Sequence, residues 1–145
     1  RYLRKQLVDD PEIQEGYSML GLALDVSGRR KEAVETFRSG LEREPNNVKI
    51  LRELAWIKAT AKDEQWRDGV EAEKLAKRAV ALAPDDADFQ QVLAAAYAEN
   101  LRFDQALGIA RSALQLAAAN GNQGLSSLIR HCIKAYESRQ PIRAN

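Results

Sequence analysis

The amino-acid sequence predicts an all-α chain in which antiparallel helical hairpins stack into a solenoid and a last helix caps the stack. Apolar residues recur at spacings of three and four along most of the chain, and alternating β-branched runs are absent. Pro11, Pro45 and Pro84 follow one another at intervals of 34 and 39 residues, each at the end of an apolar-periodic stretch. A repeat length in this range is typical of solenoids built from helical hairpins.

The composition is that of a folded domain without a strong charge imbalance. Of the 145 residues, 45% are hydrophobic and 30% are charged, which argues against disorder. The net charge is +1, so the basic surplus that favours nucleic acid binding is missing. No apolar run reaches the roughly 18–20 residues of a membrane span. We therefore expect no nucleic acid partner and no membrane contact, while one cysteine and no targeting signal leave the compartment undecided.

The first segment, residues 1–13, predicts the second helix of a hairpin whose first helix is missing. Tyr2, Leu3 and Leu7 occupy the apolar positions of such a helix. We expect the chain to start inside a repeat of a longer protein. Because exposed apolar patches recruit partners, we also expect self-association through this N-terminal edge.

Residues 14–47 predict the first complete hairpin. A first helix over Gln14–Val26 ends at Gly28. A second helix over about Arg30–Arg43 ends before Pro45, whose ring prevents the preceding residue from continuing the helix. The apolar positions of the two helices are Tyr17, Leu20, Leu24, Ala33, Val34, Phe37 and Leu41.

Gly40 lies in the predicted interior of this second helix, at a position for a small residue. Glycine inside a helix costs about 1 kcal/mol relative to alanine. We therefore expect alanine at this position to be neutral or stabilising, and leucine to destabilise the hairpin by overpacking.

Two further hairpins follow. The hairpin at 48–86 is five residues longer than the first, because a polar insertion lies at Ala61–Arg67. The hairpin at 87–120 again has the shorter length. Asparagine and aspartate residues stand before the first helix of each unit, where their side chains can cap it.

Residues 121–145 predict a capping helix and a tail. The helix covers 123–138, with an apolar face suited to seal the open end of a solenoid. This face contains Leu125, Leu128, Ile129, Cys132, Ile133 and Tyr136, and the opposite face contains Ser126, Ser127, Arg130, His131 and Lys134. We expect the tail, Gln140–Asn145, to fray.

The three hairpins resemble tetratricopeptide repeats. That family's pattern places a large residue, leucine, a small residue and tyrosine in the first helix, and alanine, an aromatic, a small residue and proline in the second. Residues 14–47 match with Tyr17, Leu20, Gly21, Leu24, Ala33, Phe37, Gly40 and Pro45. Residues 48–86 match with Leu51, Leu54, Ala55, Ala72, Ala76, Ala79 and Pro84, and residues 87–120 with Leu93, Ala94, Tyr97, Ala106, Ala110 and Ala113. In the last unit, Gln90 replaces the large residue and Leu101 replaces the usual glycine of the turn.

The middle unit is similar to a long variant repeat of bacterial arrays. There, a helix with the letters LAW precedes a polar insertion and a turn of the form R-(N/D)-G-x-E-A. The stretch IRHCIKAYESRQPIR resembles the closing helix of such arrays. The resemblance implies a bacterial scaffold module at the C-terminal end of a larger protein.

The family resemblance implies a non-catalytic module that binds a peptide or a partner helix in a concave groove lined by first helices. The repeat register assigns to this groove Met19, Leu22, Lys49, Arg52, Glu53, Trp56, Gln91 and Ala95. Lys49 and Arg52 lie one helical turn apart and can meet an acidic group, whereas Glu15, Asp88 and Glu99 would repel a wholly acidic ligand. We expect a mixed apolar segment with one acidic residue.

One ligand class within the family is not expected. Some members grip a free C-terminal carboxylate with lysine, arginine and asparagine at set positions of their first helices. The corresponding positions hold Ser18, Leu22, Glu53 and Asp88, which do not supply those donors.

Two tryptophans each leave two interpretations open. Trp56 is either an aromatic platform for a peptide or a side chain packed against a neighbouring helix or under the insertion. Trp66, at the end of the insertion, is either an anchor that pins the loop to the hairpin or a binding contact.

No residue pattern predicts catalysis, a metal site or a cofactor. His131 and Cys132 are the single histidine and the single cysteine, and adjacent residues on a helix point about 100° apart. A nucleophilic pair needs two side chains within hydrogen-bond distance and a third group that orients them. A zinc site needs several nitrogen or sulfur ligands, and one histidine and one cysteine are too few. We expect Cys132 in the core and His131 at the surface, in a chain that is not an enzyme.

The alternative to a binding module is a spacer or self-association domain of a larger enzyme or membrane protein. The predicted start inside a repeat and the resemblance at the chain end favour this alternative.

Overall fold

The computed structural model describes residues 16–144, and this part of the chain is helical. The α-helices are α1 (Gly16–Val26), α2 (Arg30–Arg43), α3 (Val48–Thr60), α4 (Gly69–Leu82), α5 (Ala87–Glu99), α6 (Phe103–Ala119) and α7 (Gln123–Glu137), with a 3₁₀-helix at Glu64–Trp66. Within residues 16–144, the one extended pairing is a single bridge between Ala61 and Ala144. The predicted all-α class is confirmed here, whereas the predicted helix within residues 1–13 lies outside the described residues.

In unit 1, α1 packs on α2, and in unit 2, α4 packs on α5, α5 on α6 and α6 on α7, as expected for a solenoid of hairpins. The contacts divide the chain into two compact units, and each is described by itself. Unit 1 ends at Leu54 and unit 2 begins at Ala55, so that the boundary falls inside α3.

In unit 1, the α1–α2 hairpin packs an aromatic ring against a glycine. Phe37 of α2 is fully buried, and Gly21 of α1 is buried opposite it. A Cβ atom at Gly21 would overlap the Phe37 ring. The missing side chain therefore makes the space that the ring fills.

The turn of this hairpin depends on Gly28, whose φ is +82°. Its N–H donates to the carbonyl of Asp25 at 3.0 Å, and the N–H of Arg29 donates to the carbonyl of Leu24 at 2.9 Å. This left-handed conformation favours glycine, because a Cβ atom would crowd the backbone. The guanidinium of Arg30 then closes the turn with two hydrogen bonds to the Asp25 carboxylate, at 2.7 and 3.0 Å.

The expectation for Gly40 is wrong in one respect. Gly40 is buried in the interior of α2, as expected for a packing position. A Cβ atom there would overlap the end of the Ile50 side chain and lie 2.9 Å from the Cβ of Tyr17. Because the Tyr17 Cβ is fixed to the backbone of α1, alanine at this position should destabilise the hairpin rather than stabilise it.

In unit 2, the α5–α6 hairpin is packed with alanines. The buried alanines of the two helices include Ala94, Ala106, Ala110 and Ala113. Leu101 ends α5 with a φ of 63°, at the position where the family pattern has glycine. Its N–H donates to the carbonyl of Ala98 at 3.0 Å, and the N–H of Arg102 donates to the carbonyl of Tyr97 at 2.9 Å. Leucine thus forms the same turn that Gly28 forms in unit 1.

A side-chain bridge holds α4 against the end of α5. The amide nitrogen of Asn100 donates to the carbonyl of Gly69 at 2.9 Å and to the Glu73 carboxylate at 3.2 Å. A Cβ atom at Gly69 would overlap the Asn100 side chain. Glycine at the start of α4 therefore permits this close approach.

The insertion between α3 and α4 is an ordered turn. The Asp63 side chain accepts from the backbone N–H of Gln65 and caps the 3₁₀-helix. The guanidinium of Arg67 donates to the carbonyls of Ala61 and Lys62, at 2.8 and 3.0 Å. Trp66 is half-buried, and its role as an anchor remains a prediction.

Helix α7 packs on α6 and, more lightly, on α5. It buries Ile129, Cys132 and Tyr136 of the predicted apolar face. Ser126 was expected on the exposed face but is buried. Its hydroxyl donates to the carbonyl of Asn122 at 2.8 Å, which satisfies the buried polar group. His131 is exposed, as expected.

The expectation that the tail frays is wrong for Gln140–Ala144. Ile142 is 9% exposed, and the backbone N–H of Ala144 donates to the carbonyl of Thr60 at 2.8 Å. The guanidinium of Arg143 donates to the Glu99 carboxylate at 2.7 Å. An apolar contact, a backbone hydrogen bond and an ion pair together offset the entropy of ordering these residues.

Candidate protein-interaction surfaces

In unit 1, α1 presents an apolar stripe to solvent. We define the α1 stripe as Met19, Leu22 and Val26, which are 71%, 45% and 82% exposed. Spacings of three and four place these residues on one side of the helix. Tyr17, Ser18 and Gly21 lie on the packed side and are buried. Two of the eight groove residues that the sequence predicts, Met19 and Leu22, therefore lie together on an exposed apolar surface.

The predicted basic spot of unit 1 is partly neutralised. Lys49 is exposed near the start of α3. The guanidinium of Arg52, however, forms an ion pair with the Glu53 carboxylate at 3.2 Å, and the two side chains are 19% and 26% exposed. A ligand carboxylate would share Arg52 with Glu53.

In unit 2, Trp56 packs against an alanine cluster formed by Ala59, Ala72, Ala95 and Ala96. This contact is what the packing interpretation of Trp56 expects, although its ring is only partly buried. Ala95 of the predicted groove is 1% exposed and belongs to this cluster. The structure therefore brings Trp56 and Ala95 together, with Ala95 supporting the ring rather than facing solvent.

Gln91, the last predicted groove residue, is also buried. It is 1% exposed, and its amide nitrogen lies 3.4 Å from the Asp88 carboxylate. Its amide oxygen has no hydrogen-bond partner within the described residues. Gln91 therefore offers no surface to a ligand unless α5 is uncovered.

A pocket of about 430 Å³ in unit 2 was not predicted from the sequence. It lies among α4, α5 and α6, and its lining is Val80, Gln90, Leu93, Tyr97, Gln105, Gly108, Ile109 and Ser112. Space is open where a Cβ atom at Gly108 would lie. The available signal in the sequence was Gln90, which stands where the family pattern has a large residue.

Burial disfavours the thiolate form of Cys132. Burial raises the pKa of Cys132 to about 11, and burial also raises the pKa of the neighbouring Tyr136 hydroxyl. The protonated thiol therefore persists through the physiological range. Between residues 16 and 144, no group of three or more histidine, cysteine, aspartate or glutamate residues is placed to hold a metal ion. None of the helices in that range combines the length and the apolar character needed to cross a membrane.

Comparison with known proteins links part of the chain to a repeat protein. The chain is 46% identical over 46 residues to the small glutamine-rich tetratricopeptide repeat-containing protein 2 of Mycosarcoma maydis. The matched stretch is 32% of this chain and 13% of that protein, so the chain covers a small part of its relative. No family model matches the chain.

Proposed function

We propose that this chain is a non-catalytic protein-interaction module, and that the α1 stripe is part of its binding surface. The observation that carries the proposal is the exposure of Met19, Leu22 and Val26 on a helix whose other side is packed. Contiguous exposed apolar side chains mark interaction sites in soluble proteins. The partial likeness to a tetratricopeptide repeat-containing protein and the all-helical fold support the same conclusion.

The ligand that we propose is an apolar segment with one acidic residue. Met19 is a flexible, polarisable side chain that adapts to varied apolar partners. Lys49 and Arg52, which also belong to unit 1, supply the positive charge for the acidic residue. Since Glu53 already pairs with Arg52, a second acidic residue in the ligand would be repelled.

A peptide library tests this proposal directly. Phage-displayed random peptides are selected on the wild-type chain, and the affinity of the selected peptides is measured by calorimetry. Met19→Glu combined with Leu22→Glu should weaken binding at least ten-fold, because charge at a binding centre must be desolvated without a partner. Arg52→Glu should weaken binding by an amount that falls as salt is added.

The chain offers a matched control. Leu101 and Leu82 of unit 2 are 71% and 45% exposed, the same values as Met19 and Leu22. Leu101→Glu combined with Leu82→Glu introduces the same charges and should leave the affinity unchanged. Equal loss of affinity in both double variants, or in neither, would contradict the proposed surface. Failure to select any peptide would favour the spacer or self-association role.

A further inference from the structure

The tail at residues 140–144 docks on the end of α3 and on Glu99 within unit 2. Ala144 pairs with Ala61 in a parallel bridge, through the hydrogen bond from its N–H to the carbonyl of Thr60. The Arg143 guanidinium donates to the Glu99 carboxylate, and Ile142, which directly precedes Arg143, is buried. Backbone pairing combined with alternate side-chain recognition is how extended peptides are commonly bound.

The receiving surface has an acceptor that its own helix cannot satisfy. Thr60 is the last residue of α3, and the final carbonyls of a helix have no intrahelical donor. The Ala144 N–H satisfies this carbonyl at 2.8 Å. The end of α3 therefore offers a backbone acceptor that the N–H of an extended segment can use.

The insertion makes contacts of its own to this surface. The guanidinium of Arg67 binds the carbonyls of Ala61 and Lys62, and its Nε lies 3.4 Å from the Glu99 carboxylate. The N–H of Asp68 donates to the carbonyl of Lys58 at 2.8 Å. Glu99 is thus positioned by Arg67 and keeps its second oxygen for Arg143.

The turn that directs the tail to this surface is strained. Arg139 has a φ of 56°, and the N–H of Gln140 donates to the carbonyl of Ala135 at 2.9 Å. A non-glycine residue in this conformation carries a steric penalty. The contacts of the tail must offset this penalty. The free-energy difference between the docked and released states is therefore smaller than the contacts alone would give.

We propose that the surface formed by Thr60, Ala61 and Glu99 is a peptide-binding site that the tail fills in cis. The ligand class is an extended segment in which an aliphatic residue precedes an arginine and a small residue, as in Ile142–Ala144. This site is separate from the α1 stripe and prefers a basic ligand, whereas the α1 stripe is proposed to take an acidic one. The tail therefore acts as a built-in competitor for segments of this type.

The tether decides when another segment can bind. A short covalent connection gives the tail an effective concentration on the order of millimolar. The apparent affinity for a free peptide is the intrinsic affinity multiplied by the fraction of chains whose tail is released. Releasing the tail should therefore strengthen binding of a free peptide without any new contact.

The test uses the chain of residues 1–145 with a released tail, Ile142→Asp combined with Arg143→Glu. The probe is an N-acetylated synthetic peptide with the sequence of residues 140–145, titrated into ¹⁵N-labelled protein and followed by NMR. The released-tail chain should bind the peptide at least ten-fold more tightly than the wild type. The amide signals of residues 60–67 and Glu99 should shift, because they form the surface.

Two controls keep the test decisive. Glu99→Gln in the released-tail chain, and a peptide with glutamate in place of arginine, should each reduce affinity at least five-fold. Equal affinity for the released and wild-type chains, no binding to the released chain, or indifference to Glu99→Gln would overturn the proposal. If the double variant fails to fold by circular dichroism, Arg143→Glu alone serves the same comparison. Met19→Glu with Leu22→Glu should leave this binding unchanged, so failure here is distinguishable from failure of the α1 stripe.

Discussion

The α1–α2 hairpin of unit 1 and the α5–α6 hairpin of unit 2 reach the same local structure with different side chains. Where unit 1 places Gly21 against Phe37, unit 2 has Ala94 and Ala110 at the equivalent places. Gly28 and Leu101 both adopt positive φ and make the same two backbone hydrogen bonds. A hairpin of this kind therefore requires complementary volumes and a left-handed turn rather than particular residues.

The two hairpins differ in what covers their first helices. Met19 and Leu22 of α1 are exposed, whereas Val92 and Ala95, at the equivalent places of α5, are buried. The two pairs of residues occupy the same positions in the repeat, but only the α1 pair is exposed to solvent. Register therefore identifies the side of a helix, and the surrounding elements decide whether that side can bind a ligand.

The largest expected effect tests whether Phe37 and Gly21 of unit 1 are energetically coupled. Phe37→Ala should lower the free energy of unfolding by about 3–5 kcal/mol, as for other buried aromatic residues. Gly21→Ala alone should cost about 1–3 kcal/mol, since its Cβ overlaps the ring. The double variant reproduces the alanine pair of unit 2 and should recover at least about 1 kcal/mol relative to the sum.

Urea unfolding followed by circular dichroism measures these three variants. The control is Ala110→Gly in unit 2, which removes one buried methyl group at the position equivalent to Phe37, in a hairpin that has no aromatic ring there. Additive losses in the double variant would mean that Gly21 and Phe37 are not coupled, and that the two hairpins are packed by unrelated rules.

The next effect concerns Cys132, which reports on unit 2 because unit 1 contains no cysteine. Burial raises the pKa of this thiol from 9.0 to about 11. The folded chain favours the protonated form, so this contribution to stability is complete below pH 9 and is lost as pH rises from 9 to about 11. Iodoacetamide should modify the native thiol about a hundred-fold more slowly at pH 8 than an unburied thiol.

The control for this titration is Cys132→Ala, which should remove the thiol's part of the fall in stability between pH 9 and 11. Native-state labelling as fast as in urea would show that α7 does not bury the thiol and would contradict the packing of the cap.

The smallest expected effect comes from substitutions at the turn residues of the two hairpins. Leu101→Gly should raise the free energy of unfolding by up to about 1 kcal/mol, because glycine adopts positive φ without the steric penalty. Gly28→Ala should lower it by about 1 kcal/mol for the same reason. Thermal unfolding measures both, with Gly108→Ala as the control, since the space at its Cβ is open and alanine should stabilise that helix. Effects of equal sign at Gly28 and Leu101 would show that the turns are not equivalent.

The sequence supported much of the fold and less of the site. The hairpin positions followed from local periodicity and turn residues, and Met19 and Leu22 lie exposed as the register suggested. Gln91 and Ala95 share that register and are nevertheless buried. The peptide-binding role of all eight residues remains a prediction, because periodicity indicates a face and contains no information about its neighbours.

By itself, the sequence determined the helical class, the hairpins within residues 16–144 and the capping helix, because these depend on interactions between residues close along the chain. Only the tertiary structure decided that alanine does not fit at Gly40, that Ser126 is buried and that the tail docks. The fit at Gly40 and the docking of the tail depend on atoms from distant parts of the chain: Tyr17 beside Gly40, and Thr60 and Glu99 beneath the tail. Steric fit and the partner of a terminal carbonyl are properties of the packed chain, and no local pattern encodes them.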